Sequence, residues 1–274
     1  MIRLATEAEE LVLIEKRMRN AHSFDALPCL EATVEDLNEA VIKLIYLPAA
    51  IDKATLATTK LTWRQQLASL RLYDLRYDCP TNAAILLFGL NPLYFAPGAY
   101  IQYVRTDSTE RILDKVKVDK VFKGSLYDVL RNVDGFVKYN ICLSRPVPIK
   151  GSFRDENVVN YPYKAIREFV MNAIMHRNYE SNAPIYIYEF SDRIEITNSG
   201  GLYGNVSTTN FPNANDYRNP ILAEGMKLLN YVNRFNYGIQ DAQKSLADNG
   251  MSPAEFNTES PTQFLVTIKV NSRW

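Results

Sequence analysis

Ala165, Ile166, Phe169, Val170, Ala173 and Ile174 recur at three- and four-residue steps, predicting an amphipathic helix over 162–176. Pro162 suits its first position, where a missing N–H costs nothing. Beside the apolar face, Lys164, Glu168, Asn172 and His176 stand four apart and form one row along the helix. The period then changes to two. Ile185 and Ile187 alternate with Tyr186 and Tyr188, Ser191-Asp192 turns the chain, and Ile194 and Ile196 alternate with Glu195 and Thr197. Such a pattern predicts a β-hairpin with one face in a core. Its second strand runs into Asn198-Ser199-Gly200-Gly201-Leu202, where paired glycines serve either a plain loop or the close approach of a ligand.

The same periodicities divide the rest of the chain. Thr6 to Arg19 reads as a charged amphipathic helix. Thr33-Val34-Glu35-Asp36 resembles a capping box opening a helix with Leu37, Val41, Leu44 and Ile45, which stops before Pro48. Thr62 with Gln65 forms a second box, for a helix through Leu70. Asn82 to Leu90 is nearly all apolar, too short to span a membrane, and reads as a buried helix ended by Gly89 and Asn91-Pro92. Ala99 to Val104 predicts a strand, Arg111 to Phe122 a further strand or two, and Ser125 caps a long helix striped by Leu126, Val129, Leu130, Val133, Phe136 and Val137. A domain boundary is placed just before Ser125, giving regions 1–124 and 125–274. Arg145 to Phe153, with Pro146 and Pro148, reads as an edge strand. Residues 204–218 are polar and aperiodic, as functional lids often are. Asn219 with Pro220 caps the next helix; another runs from Gly238 to Asn249; and Phe264, Val266, Ile268 and Val270 alternate in a last strand. Together these predict an α/β (α+β) protein: a mixed helical and strand region followed by an α/β sandwich with a mixed sheet.

Composition narrows the function classes. The 274 residues are 47% hydrophobic and 23% charged, as in a globular protein. The 31 basic and 31 acidic residues cancel, which argues against a broadly basic nucleic-acid surface but not against a local patch. Cys29, Cys79 and Cys142 are scattered without CxxC spacing, so neither a zinc site nor a disulfide framework is indicated, and reduced thiols in a cytoplasmic protein are expected. The N-terminal residues have no signal-peptide pattern, and no apolar run reaches membrane-spanning length.

The polar row carries the candidate chemistry. Asn is a mediocre helix former, so Asn172 amid apolar neighbours needs a reason. It is either a hydrogen-bonded helix edge or an oxygen ligand for a hard cation, with the Glu168 carboxylate one turn earlier able to orient a water.

Arg167-Glu168, Asn172-Ala173, His176-Arg177-Asn178-Tyr179, the hairpin, and Asn198-Ser199-Gly200-Gly201-Leu202 together resemble the RecG-like ATP-binding domain of the GHKL ATPases. Thr81 to Pro92, Pro97 to Arg105 and Arg218-Asn219-Pro220 extend the likeness over most of the chain. The resemblance implies a Bergerat fold binding ATP and Mg²⁺ between the 162–176 helix and the sheet, under a lid at 204–218. It implies Glu168 as general base and Asn172 as Mg²⁺ ligand. Asn198, Gly200, Gly201, Arg218 and Gly238 are the remaining nucleotide contacts. Asn198 stands where the wider group has an Asp accepting from adenine; its carbonyl oxygen can still accept. Asn236 and Tyr237 replace a glycine and a small residue of the phosphate-cradling turn. For Arg177 a structural salt bridge is preferred over phosphate contact.

Proteins of this kind are Schlafen AlbA-domain transcriptional regulators whose N-terminal domain is thought to contact nucleic acid. On this resemblance the chain is expected to start near the end of such a domain, as a short form or a truncated piece, with nucleic-acid binding expected only through the missing part. A homodimer is a family-level expectation. ATP hydrolysis is left open. The alternative reading is a degenerate domain that keeps the fold and serves as an interaction or dimerisation scaffold.

Overall fold

A computed structural model describes residues 23–232 and 238–274. The helix expected at 6–19 and the turn at 233–237 lie outside the described residues.

The N-terminal part is helical. Helix α1 runs through Glu39–Val41, a π turn at Ile42–Tyr46, and Leu47–Ala50. This differs from expectation in two ways. The Thr33 box closes only a single turn, Val34–Asp36, and Asn38 caps α1 by accepting from the Val41 N–H at 3.2 Å. The helix also continues through Pro48. The π turn just before it shifts the hydrogen-bond ladder, and it turns Ile42, Tyr46 and Leu47 inward while Leu44 and Ile45 face solvent. Next come α2 (Lys53–Thr58), α3 (Trp63–Ser69), the short pair β1 (Tyr73–Asp74) and β2 (Cys79–Pro80), α4 (Asn82–Phe88) and α5 (Pro92–Phe95). The Thr62–Gln65 box opens α3 as expected. In α4 every residue from Ala83 to Phe88 is buried, as its composition required.

The centre is a six-stranded mixed sheet in the order β4-β3-β7-β8-β10-β9. Its strands are β3 (Ile101–Thr106), β4 (Val116–Phe122), β7 (Ile185–Glu189), β8 (Arg193–Ser199), β9 (Glu255–Asn257) and β10 (Gln263–Lys269). Among the described residues only β3 and β7 pair in parallel, with Tyr103 beside Ile187. The sheet therefore takes strands from both sides of residue 124. Helix α6 (Leu126–Phe136) lies over β3 and β4, its Phe136 ring 4.8 Å from Tyr103 and 5.2 Å from Phe122.

Residues 144–159 are not an edge strand of this sheet. They form a separate hairpin of β5 (Ser144–Pro148) and β6 (Asp155–Val159), because the strand turns back after Pro148. Helix α7 (Tyr163–His176) follows, with Pro162 as its cap rather than its first residue. All six residues of its expected apolar face are buried, with Met171 and Met175 in addition. Each larger side chain among them contributes roughly 1.5–3 kcal/mol relative to exposure. Helix α8 (Pro220–Leu228) meets the end of α7, and α9 (Gly238–Asp248) packs along its flank.

Asn219 takes the N-cap position of α8, with Pro220 first inside it as expected, but its side chain makes no capping bond. Its amide donates instead to the Met175 and Arg177 carbonyls at 2.8 Å each. The cap comes from far away in sequence: Asp25 Oδ2 accepts from the Ile221 and Leu222 N–H groups at 2.7 and 2.9 Å. Among the described residues, no helix is long and apolar enough to cross a membrane.

Candidate functional site

A cleft of about 490 Å³ opens between α7, the β8–β10 part of the sheet and the 203–217 loop. Five of the seven residues singled out from sequence line it: Glu168, Asn172, Asn198, Gly201 and Gly238. Gly200 and Arg218 do not.

Glu168 and Asn172 occupy successive turns of α7 on the cleft side. Asn172 Nδ2 donates to the Glu168 carbonyl and to its Oε1, at 2.9 Å each. Asn172 Oδ1 accepts no hydrogen bond among the described residues, which leaves it available to a cation. Burial, the largest influence, raises the Glu168 pKa against the opposing hydrogen bond from Asn172. Gly238, at the start of α9, sits so close that a Cβ there would overlap the Glu168 carboxylate. The carboxylate thus already lies at a helix N-terminus, where backbone N–H groups favour negative charge.

At the other end, Asn198 extends the inward row of Ile194 and Ile196 on β8 and stands opposite Phe264 of β10. It is buried, with a 3.2 Å bond from Nδ2 to the Ser199 carbonyl. The glycines that follow have packing reasons. Gly200 has φ +91°, and a Cβ there would lie 3.1 Å from the Arg218 guanidinium, whereas a Cβ on Gly201 would overlap the Ser260 carbonyl. Arg218 donates to the His176 carbonyl at 3.0 Å and to the Gly201 carbonyl at 3.1 Å, and its guanidinium lies 4.6 Å from the Tyr203 ring centroid. It ties one end of the loop to α7.

Arg177 forms no salt bridge among the described residues. It is fully buried and donates to the Ser181 and Ala183 carbonyls at 2.6 and 2.8 Å, holding the α7–β7 connection. Its role is structural, as preferred from sequence, but carbonyls replace the expected carboxylate.

Sequence reasoning missed the aromatic wall. Phe211 of the loop meets Phe256 and Phe264 edge-on at 5.2 and 5.6 Å, and Phe256 reaches Phe169 of α7 at 5.7 Å. An apolar residue inside an otherwise polar loop was the one available signal for Phe211; β9 is too short to show a period. His176 stacks on Tyr217 with centroids 5.7 Å apart. Burial, assisted by the Arg218 charge, lowers the His176 pKa from 6.5 to about 4. The unfolded chain therefore takes up this proton first. Stability from this site is complete above about pH 6.5 and is lost progressively as pH falls towards 4. Urea titrations at pH 7, 5.5 and 4.5 should show this loss in the native chain and a shallower one in His176→Gln.

Residues 182–268 match the family model described as "Putative ATP-dependent DNA helicase recG C-terminal". The match supports a RecG-like, ATPase-type domain in this part of the chain. Among solved structures, the DIP2311 protein from Corynebacterium diphtheriae is similar with a TM-score of 0.67 and 19% identity, over 93% of this chain and 49% of that one. The likeness is one of fold, and the chain spans about half the length of that protein. No curated protein matches.

Proposed function

We propose that the chain is an ATP-binding regulatory module of the GHKL type, with adenine nucleotide and Mg²⁺ held in the α7 cleft under the 204–218 loop as a lid. The observation that carries this reading is the hydrogen-bonded Glu168–Asn172 pair at one end of a cleft with Asn198 at the other. The donor set fits Mg²⁺. Among the described residues no group of three or more His, Cys, Asp or Glu side chains could cage a metal, and Mg²⁺ is commonly held by one or two protein oxygens plus substrate phosphates. Asn172 Oδ1 would be its protein ligand. When bound, the ion neutralises phosphate charge in a lining that carries Glu168 and Asp216 and, among the described residues, no lysine or arginine. Glu168 would orient an attacking water, and its burial-raised pKa makes it a stronger base once ionised. The Phe211–Phe256–Phe264 wall would exclude water. Arg218 would act by fixing the lid end. A Schlafen AlbA-type transcriptional regulator is the setting the resemblance implies, with a homodimer as its assembly.

The second reading is a scaffold that keeps the fold without nucleotide turnover. The contact between the Glu168 carboxylate and Gly238 favours it, since a protein anion already lies at the α9 N-terminus. Thermal unfolding separates the two. Saturating Mg-ATP at ~100 Kd should add about 2.7 kcal/mol, roughly 5–10 °C at this chain length, and EDTA should abolish the shift. An unchanged melting temperature at millimolar Mg-ATP supports the scaffold.

A further inference from the structure

We infer that the β5–β6 hairpin is a contact arm for single-stranded nucleic acid, with Phe153 stacking on a base and Lys150 and Arg154 pairing with phosphates. The arm stands apart from the six-stranded sheet, and its ladder runs from Ser144 opposite Val159 to Pro148 opposite Asp155. Its tip, residues 149–154, is exposed throughout, and Phe153 is fully so. The Phe153 ring at the end of the hairpin buries nothing in this chain and is open to stacking by a group that approaches it.

Two observations identify the partner. The first is charge. Lys150 and Arg154 flank Phe153, and Arg145 lies 4.8 Å from the Trp274 ring at the arm's base. Just before β5, exposed Lys138 lies 5.3 Å from the ring of Tyr139, itself exposed. Of the two nearby carboxylates, Glu156 is tied to Arg273, leaving Asp155. In a chain of zero formal charge the tip thus carries two cations and an aromatic ring within residues 150–154, with further cation–aromatic pairs at Arg145–Trp274 and Lys138–Tyr139. That combination suits a strand presenting phosphates and unstacked bases.

The second observation argues against strand addition at the β5 edge of the arm. Backbone bonds Asn160 N–H to Leu143 O and Ile149 N–H to Arg154 O bracket the ladder. By alternation, the odd-numbered residues of β5 turn their N–H groups towards β6. Pro146 and Pro148 therefore face the outer edge, where an added strand would need donors that proline lacks.

This inference is independent of the cleft and of any nucleotide there. The test measures binding of the full chain to a fluorescein-labelled oligo-dT 20-mer and to a duplex of equal length, at 50 and 200 mM salt, by anisotropy. The variants are Phe153→Ala and the pair Lys150→Glu with Arg154→Glu. All three positions are exposed, and far-UV circular dichroism checks that folding is intact. The expected result is tighter binding to the single strand, weakened about five- to a hundredfold by Phe153→Ala, and a shallower salt dependence in the charge-reversal pair. No binding at 50 mM salt overturns the inference, as does binding that all variants retain. Loss on charge reversal with Phe153→Ala unaffected removes the stacking role and overturns it too. A concentration-dependent dimer that Phe153→Ala dissociates, without oligonucleotide binding, assigns the arm to a second copy instead.

Discussion

Replacing Asp25 with alanine is expected to destabilise the chain by about 3–5 kcal/mol. The carboxylate is fully buried, and one oxygen satisfies two N–H groups at the start of α8, 196 and 197 residues away. Alanine would leave both donors buried without a partner and would unfasten the N-terminal segment from the helix that meets the end of α7. Asp25→Asn keeps an oxygen acceptor at nearly the same place and should cost much less. Urea denaturation of both variants measures the difference. Acid should not open this clamp. Burial raises the Asp25 pKa above its usual 3.8, so the folded state takes the proton more readily than the unfolded one. The cost of holding the charge is then relieved, not increased, as pH falls. His176 has the opposite sign, so acid sensitivity should track the cleft and not the clamp.

The second large effect is on chemistry. If the cleft turns over ATP, Glu168→Gln should lower the rate about 10²–10⁴-fold, the usual range for loss of a general base. Binding should be nearly unchanged, since glutamine can still accept from Asn172 through its Oε1. Gly238→Ala should lower turnover as well, by displacing the base and not removing it: the added Cβ overlaps the Glu168 carboxylate and forces it away from Asn172. Its melting temperature should hardly move, because the far end of a flexible side chain can give way. A phosphate-release assay with melting curves for both variants checks the pair. Equal turnover in the native chain and Glu168→Gln would remove Glu168 from the chemistry.

Much of the fold was legible because its elements have strong periods. Helix α7, the β7–β8 hairpin, α6, α9 and β10 all follow from residues spaced for one buried face. What stayed hidden depends on partners distant in sequence. Asn219 holds the N-cap position as its type and Pro220 suggest, but nothing near Asp25 marks its carboxylate as the acceptor for the first N–H groups of that helix. The passage of α1 through Pro48 was hidden for a related reason: a π turn changes the ladder without changing composition. In the cleft, Asn172 could be found because it is a polar residue amid apolar neighbours, and Glu168 because it stands one turn earlier in the same row; Asn198 came from the family resemblance. Phe264 belonged to the alternating row of β10, but its partners Phe211 and Phe256 could not be found, because single phenylalanines in a loop and a three-residue strand carry no pattern. Arg218 was singled out as a nucleotide contact, yet its hydrogen bonds go to backbone carbonyls that fix the loop's end.

The most direct measurement is calorimetric titration of the full chain with ATP, with and without Mg²⁺, beside Asn172→Ala. One site is expected, with binding that depends on Mg²⁺ and is lost in Asn172→Ala with the fold intact. No heat at millimolar ATP, or equal binding by both proteins without Mg²⁺, would contradict it.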